Sequence, residues 1–178
     1  DKFNDIIIKK IKENNPKISI NLKKINLLLN PLDFTIELKT KDPKVRSEDI
    51  EIQIEEVSTE YNIFSFLKKE FGLNNVYLKT KKNSIKNIVK FIRTQKDNAQ
   101  LFIIQKLAKD GEGEFTARIN FDERGKIKDD FKIDGKIKNF SIISFDKNKI
   151  EKISTDFTYA KGEISLQNLK LQYLDLKF

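Results

Sequence analysis

The sequence predicts an α+β protein that is mostly β, built as a curved antiparallel sheet with a groove and two to three helices inserted in the middle. Three observations predict this fold. Apolar residues alternate with polar ones in the first third of the chain and again after Gly113. Between Thr59 and Gly111 the apolar period changes to that of a helix. The hydrophobic fraction of 38%, with 14 Phe, is enough for a packed core.

We expect one continuous domain in three parts. Residues 1–16 form a short N-terminal helix, because Phe3, Ile7 and Ile11 are spaced by four and Pro16 follows. Residues 17–112 hold strands plus the inserted helices, and residues 113–178 form an antiparallel, strand-rich and repeat-like segment.

The first strands are predicted from alternation at 18–22, 32–38 and 50–54. A helix follows over 58–72, where Ser58 or Thr59 caps its start, Gly72 suits its end, and the shared apolar face is Ile63, Phe66, Leu67 and Phe71.

A short strand through Val76 and Leu78 comes next. The second helix begins behind Ser84 with the apolar face Ile85, Ile88, Val89 and Ile92, and Phe91 is expected in the core beside it. A third helix covers 101–111.

Two apolar strand faces dominate the last part of the chain. The first comprises Phe115, Ala117, Ile119 and Phe121, and the second comprises Phe131, Ile133 and Ile137, on either side of Gly135. Asp134–Gly135 is either a tight hairpin turn or a glycine inside a strand. The parity of the alternation slips near Asn139 and Asn168, which predicts turns or β-bulges there.

The missing residue types limit the chemistry. The chain has no His and no Cys, so it has no Ser–His or Cys–His nucleophile pair and no thiolate zinc site. Asp129, Asp130 and Asp134 are close in sequence, but alternate positions of a half-buried strand are charged in any case. We therefore expect no enzyme activity, no cofactor and no metal site.

The basic charge does not predict a nucleic-acid partner. The net charge is +8, but the 27 acidic residues are interspersed among the 35 basic ones, as on a mixed solvated surface. A nucleic-acid binder would instead gather Lys81, Lys82, Lys86 and Lys90 into one stripe. Because the chain has no Met, we also expect an internal segment or a processed product.

Three stretches carry a family resemblance: ISINLKKINLLLNPLDFTIELKTKDPKV at 18–45, KKNSIKNIVKFIRT at 81–94, and FTARINFDERGKIKDDFKIDGKIKNFSI at 115–142. In these the chain resembles an N-proximal fragment of the AsmA-like envelope proteins, the group with TamB-like and YhdP-like members. The resemblance implies a periplasmic protein that an anchor outside this segment holds to the inner membrane. It also implies a hydrophobic β-groove that conducts phospholipid towards the outer membrane.

The residue pattern supports the same function independently. An alternating strand must hide one face, and residues 113–178 offer many strands with few helices to cover them. An uncovered apolar face accepts acyl chains. The predicted groove residues are Phe115, Ala117, Ile119, Phe121, Phe131, Ile133 and Ile137. The alternative is a structural or protein-interaction module that fills the groove with its own side chains.

Overall fold

The architecture is an antiparallel sheet that curves without closing. The computed structural model describes residues 16–68, 73–95, 99–122, 128–143, 149–161, 163–173 and 176–177. Within these ranges the elements are β1 (Ile18–Asn21), β2 (Ile25–Asn30), β3 (Thr35–Lys41), β4 (Lys44–Ser47), β5 (Ile50–Asn62), α1 (Ile63–Lys68), β6 (Leu73–Thr80), β7 (Asn83–Ser84), α2 (Ile85–Gln95), α3 (Ala99–Leu107), β8 (Glu112–Asn120), β9 (Lys132–Ile143), β10 (Lys149–Ala160), β11 (Glu163–Tyr173) and β12 (Leu176–Lys177).

The strand order is β1-β4-β5-β6-β8-β9-β10-β11-β12. The long strand β5 has two partners on one side, because β4 pairs with its first residues and β3 with its last. β2 pairs with β3, and the short β7 pairs with β8. Every pairing is antiparallel, so the predicted class, mostly β with helices in the middle, is confirmed.

Both predicted irregularities occur within strands. Asn139 in β9 and Asn168 in β11 adopt positive φ angles of 53° and 55°. The register between β9 and β10 shifts beside Asn139, so Ile137 pairs with Thr155 and Phe140 with Ile153. A bulge of this kind keeps the apolar residues before and after it on one face. Asp134–Gly135 lies inside β9, which decides between the two alternatives for that dipeptide.

The first helix begins later than predicted. β5 continues through Asn62, because Val57, Thr59 and Tyr61 extend the alternation and pair on both sides. The cap is therefore Asn62 instead of Ser58 or Thr59: its Oδ1 accepts the backbone N–H groups of Phe64 at 2.9 Å and Ser65 at 3.2 Å.

Some predictions differ from the structure in other ways, and some fall outside it. Leu32 and Phe34 lie in the turn before β3 instead of in the strand, and the sequence reading missed β2 and β4. The predicted N-terminal helix and Gly72 lie outside the described residues.

The core lies between α2 and the first half of β5. Its buried strand residues are Val45, Ile50, Ile52 and Ile54, and Ile88 and Phe91 of α2 pack against them. Phe91 is therefore in the core, as predicted, whereas Ile92 is 42% exposed. A Cβ on Gly113 would lie 2.7 Å from Ile85 Cδ1, so this glycine lets α2 approach β8 closely. Within the described ranges, this core cluster covers the part of the sheet around β4 and β5.

Candidate functional site: the uncovered apolar face

The predicted groove residues share one face of the sheet. Ala117 on β8 pairs with Ile133 on β9, and Phe115 pairs with Gly135. Residues that pair directly point to the same side of a sheet, and so do residues two apart along a strand. By this parity Ile119 and Ile137 lie on the same face, whereas Phe121 directly follows β8 and Phe131 directly precedes β9.

Direct pairing extends this face across eight strands. We call the resulting line of residues the Ala117 row; it runs through Ile25, Thr40, Val57, Leu78, Ala117, Ile133, Tyr159 and Ile164. Seven inter-strand steps of about 4.8 Å make the row about 34 Å long along the sheet. Apart from Thr40 and the Tyr159 hydroxyl, its side chains are apolar. The apolar face is therefore continuous from β2 to β11.

Cover on this face is uneven. The helices make their main contacts with β5, β7 and the beginning of β8. At the β11 end, Ile164 is 68% exposed and Leu166 is 55% exposed, and at the β2 end Leu27 is 60% exposed. Ala117, at the middle of the row, is only 4% exposed. The apolar face thus meets solvent at both edges of the sheet.

The middle of the face has less room than the sequence suggests. Gly135 has no side chain, but the ring of Phe157 occupies the space above it: a Cβ on Gly135 would be 2.4 Å from Phe157 Cε1. Phe157 pairs directly with Gly135, and a neighbouring aromatic ring can lean across a residue that has no side chain. Next to it, the rings of Phe131 and Tyr159 are 5.6 Å apart. The centre of the strip is therefore partly filled by the protein's own side chains.

The opposite face of the sheet is polar and ion-paired. Lys39 Nζ lies 2.6 Å from Glu56 Oε1, and Lys79 Nζ lies 2.8 Å from Glu55 Oε1. The hydrogen bond from each lysine to its glutamate raises the pKa of the lysine above its ordinary value. A cleft of about 690 Å³ opens on this side, lined by Glu37, Glu56, Ser58, Thr59, Glu60, Asn75, Tyr77, Arg118 and Asn120. This cleft presents polar groups and is no part of the apolar strip.

The aspartates near the start of β9 do not converge on one point. Asp134 accepts a hydrogen bond from the Thr158 hydroxyl at 2.7 Å and pairs with Lys132 at 2.9 Å; these contacts lower the pKa of its carboxyl. Asp130 instead accepts the side-chain amide of Asn120 at 3.1 Å. Within the described ranges, no three carboxylates come close enough together to hold a metal ion.

Three of the four lysines that would form a nucleic-acid stripe, Lys81, Lys82 and Lys90, lie beside carboxylates. Lys81 pairs with Asp42 at 2.6 Å, and Lys90 pairs with Asp49 at 2.9 Å. Each lysine lowers the pKa of its aspartate, mainly by hydrogen bonding. Lys82 lies 4.0 Å from Glu112. The positive potential at these lysines is therefore largely compensated.

Sequence reasoning missed part of the face. Leu27 and Leu29 of β2, which lie on this face, were not assigned to any strand, although a run of six residues without charge from Ile25 to Asn30 was the available signal. At the other edge, Ile164 and Leu166 fall within the predicted strand-rich segment 113–178, but the sequence did not assign them to this face. Only the pairing of strands distant in sequence joins them to Ala117.

Comparison with known proteins gives no match: no family model, no curated protein and no solved structure is similar to this chain. None of the helices in the described ranges is long and apolar enough to cross a membrane.

Proposed function

We propose that the protein is a non-enzymatic lipid-binding protein of AsmA-like type, which holds phospholipid acyl chains along its apolar sheet face. In this proposal the protein works in the periplasm, tethered to the inner membrane by an anchor outside this segment. It conducts lipid between the inner and outer membranes. Its ligand is a hydrocarbon chain, so the site needs no catalytic residue and no cofactor.

The observation that carries the proposal is the Ala117 row with its exposed ends. A soluble sheet normally hides such a face under helices or a second sheet. Here the residues at the edges, Ile164 and Leu27, keep more than half of their surface in water. Each lipid methylene that covers such a residue contributes about 0.8 kcal/mol. Contacts of several methylenes with the apolar face are therefore enough to bind an acyl chain.

The distribution of polarity also fits a lipid carrier. The residues of the Ala117 row lie on one face, and the ion pairs Lys39–Glu56 and Lys132–Asp134 lie on the other. An acyl chain on the first face would therefore meet no charged group of the row, while the second face keeps the sheet soluble. Phospholipid headgroups would stay at the exposed edges.

A second candidate is a structural β module whose face is filled from within. Two observations favour this candidate: the ring of Phe157 lies over Gly135, and Ala117 is buried. Both reduce the space for a ligand at the centre of the apolar face. The two candidates differ in what happens at the edges. In a lipid carrier Ile164 contacts lipid, whereas in a self-filled module it contacts only water.

The test places a photo-crosslinking amino acid at position 164 or at position 165 and analyses the adducts from cells. Ile164 belongs to the apolar face, whereas the adjacent Ser165 pairs with Thr158 on the polar face and serves as the matched control. We expect phospholipid adducts at 164 and not at 165. Ile164→Asp should reduce the phospholipid that co-purifies with the protein while leaving the circular dichroism unchanged, since this side chain is 68% exposed. Equal labelling at both positions, or no lipid at either, would favour the structural module.

A further inference from the structure

The edge strand β2 lacks the features that usually protect a sheet edge. Natural edges carry charges, prolines, bulges or very short strands, because unpaired backbone groups invite another strand to add. β2 has six residues, Ile25–Asn30, none of them charged, and it pairs with β3 in an unbroken register. Within the described part of the chain, no strand pairs with its other side.

The opposite edge of the sheet differs in these respects. β11 carries Glu163 and Lys170, and the left-handed residue Asn168 interrupts its register with β10. A charged and bulged strand is a poor template for addition. β1 also pairs with only one strand but has just four residues, so the long unprotected edge is that of β2. It coincides with exposed leucines on both faces: Leu27, Leu28 and Leu29 are 60%, 57% and 65% exposed.

The sequence of β2 identifies the strand that fits it. Residues 26–30 read Asn-Leu-Leu-Leu-Asn, which is the same in both directions. An antiparallel pair of two such strands, centred on Leu28, matches each residue with its own kind. Leu28 faces Leu28 of the second copy, Leu27 faces Leu29, and Asn26 faces Asn30. Directly opposed leucines cover one another.

The charges that flank the strand agree with this register. Lys23 precedes β2 and Asp33 lies in the turn after it, so the same centre places Lys23 of one copy at the same end of the paired strands as Asp33 of the other; within its own chain Lys23 lies 4.0 Å from Asp42. Each end of the paired strands therefore carries charges of both signs, which favours this alignment over a register slip.

We propose that β2 pairs with β2 of a second copy of this chain to form a two-fold symmetric dimer. The two-fold axis passes between the two Leu28 residues, perpendicular to the sheet, so the apolar faces of the two copies lie on the same side. The β2 end of one copy's apolar face then meets that of the other through the Leu27–Leu29 contacts, since Leu27 also pairs with Leu38, and Leu29 with Ile36, within each chain. The inference does not rest on lipid binding, because it follows from the strand edge alone.

The test is sedimentation velocity of the delipidated protein over two orders of magnitude in concentration. Specific interfaces usually involve about 20–30 residues per side, so a strand pair of this size should give a weak dimer that forms with rising concentration. Leu28→Lys and Leu28→Glu each place two like charges directly opposite one another at the axis, and each should weaken dimerisation about tenfold or more. Leu28 pairs with Glu37 on the polar face and is exposed, so both variants should fold.

Mixing the two variants is the decisive measurement. Only across a two-fold axis at Leu28 does the lysine of one variant meet the glutamate of the other, so the mixture should regain the dimer that each variant alone has lost. Ile164→Lys, at the far edge, is the matched control and should dimerise like the parent protein. In this cysteine-free chain, Leu28→Cys should crosslink to itself with a short thiol-reactive reagent, and Ile164→Cys should not.

Three results would overturn the proposal. They are a monomer at every concentration, a dimer that survives both charge substitutions, and a mixture that stays monomeric. If the natural occupant of the β2 edge is a strand of a different protein, the purified chain gives the first of these results. A chain that dimerises through β2 but gives no phospholipid adduct at position 164 would refute the proposed function and leave this inference standing.

Discussion

The contact between Phe157 and Gly135 makes a prediction that can be worked out from distances. In Gly135→Ala, the new Cβ would lie 2.4 Å from Phe157 Cε1, 2.5 Å from its Cζ, and 2.9 Å from the Glu114 carbonyl oxygen. Separations below about 3 Å cannot be kept, and overpacking of this kind costs about 1–3 kcal/mol. Alanine is otherwise better than glycine within a strand by roughly 0.5–1 kcal/mol. The net loss in the free energy of unfolding should be about 0.5–2 kcal/mol.

The same substitution in a Phe157→Ala background provides the internal control. Without the ring, the strand preference for alanine offsets the one remaining close contact, to the Glu114 carbonyl, so Gly135→Ala should be close to neutral. The coupling between the two positions is then about 0.5–2 kcal/mol. Urea unfolding followed by far-ultraviolet circular dichroism measures all four proteins of the cycle. An equal cost of Gly135→Ala in both backgrounds would show that the ring does not lie over the glycine.

Two further predictions concern polar groups. Thr40 is buried, and its hydroxyl has no hydrogen-bond partner among the residues that the structure describes, so Thr40→Val should stabilise the protein by about 1 kcal/mol in urea unfolding. Thr155→Val is the matched control and should destabilise, because the Thr155 hydroxyl bonds the Gln167 carbonyl at 2.9 Å. The pKa of Asp134 is lowered in the folded protein, so its contribution to stability is present above about pH 4 and is lost as the pH falls further. The urea midpoint should therefore fall less on acidification in Asp134→Asn than in the parent protein; parallel curves would refute this.

The local spacing of apolar residues correctly predicted several strands and helices. The alternation through Phe115, Ala117 and Ile119 predicted β8, and the helical spacing of Ile85, Ile88 and Val89 predicted α2. The slips at Asn139 and Asn168 predicted bulges, because asparagine tolerates the left-handed conformation that a bulge can require. Each of these signals depends only on residues within one element.

The predictions that were wrong concern residues whose structure depends on strands distant in sequence. Residues 58–62 can cap a helix or extend a strand, and the strand prevails because β3 and β6 pair with β5 on both sides. Leu27–Leu29 do not alternate, because an edge strand can leave both of its faces in water. The space above Gly135 depends on Phe157, a residue of another strand. The sequence therefore predicted an apolar face, but it did not predict how many strands the face crosses or how much of it the protein's own side chains fill.

The order of the strands determines how a sheet of this kind can assemble and change. From β8 onwards, each strand pairs with the strand that precedes it in the chain. This part of the sheet can therefore form one hairpin at a time, because each strand pairs with its neighbour in sequence and needs no contact with a distant segment. A hairpin gained or lost in this region changes the width of the sheet by about 10 Å and leaves the earlier strands as they were. The width of the apolar face can thus change during evolution in steps of one hairpin.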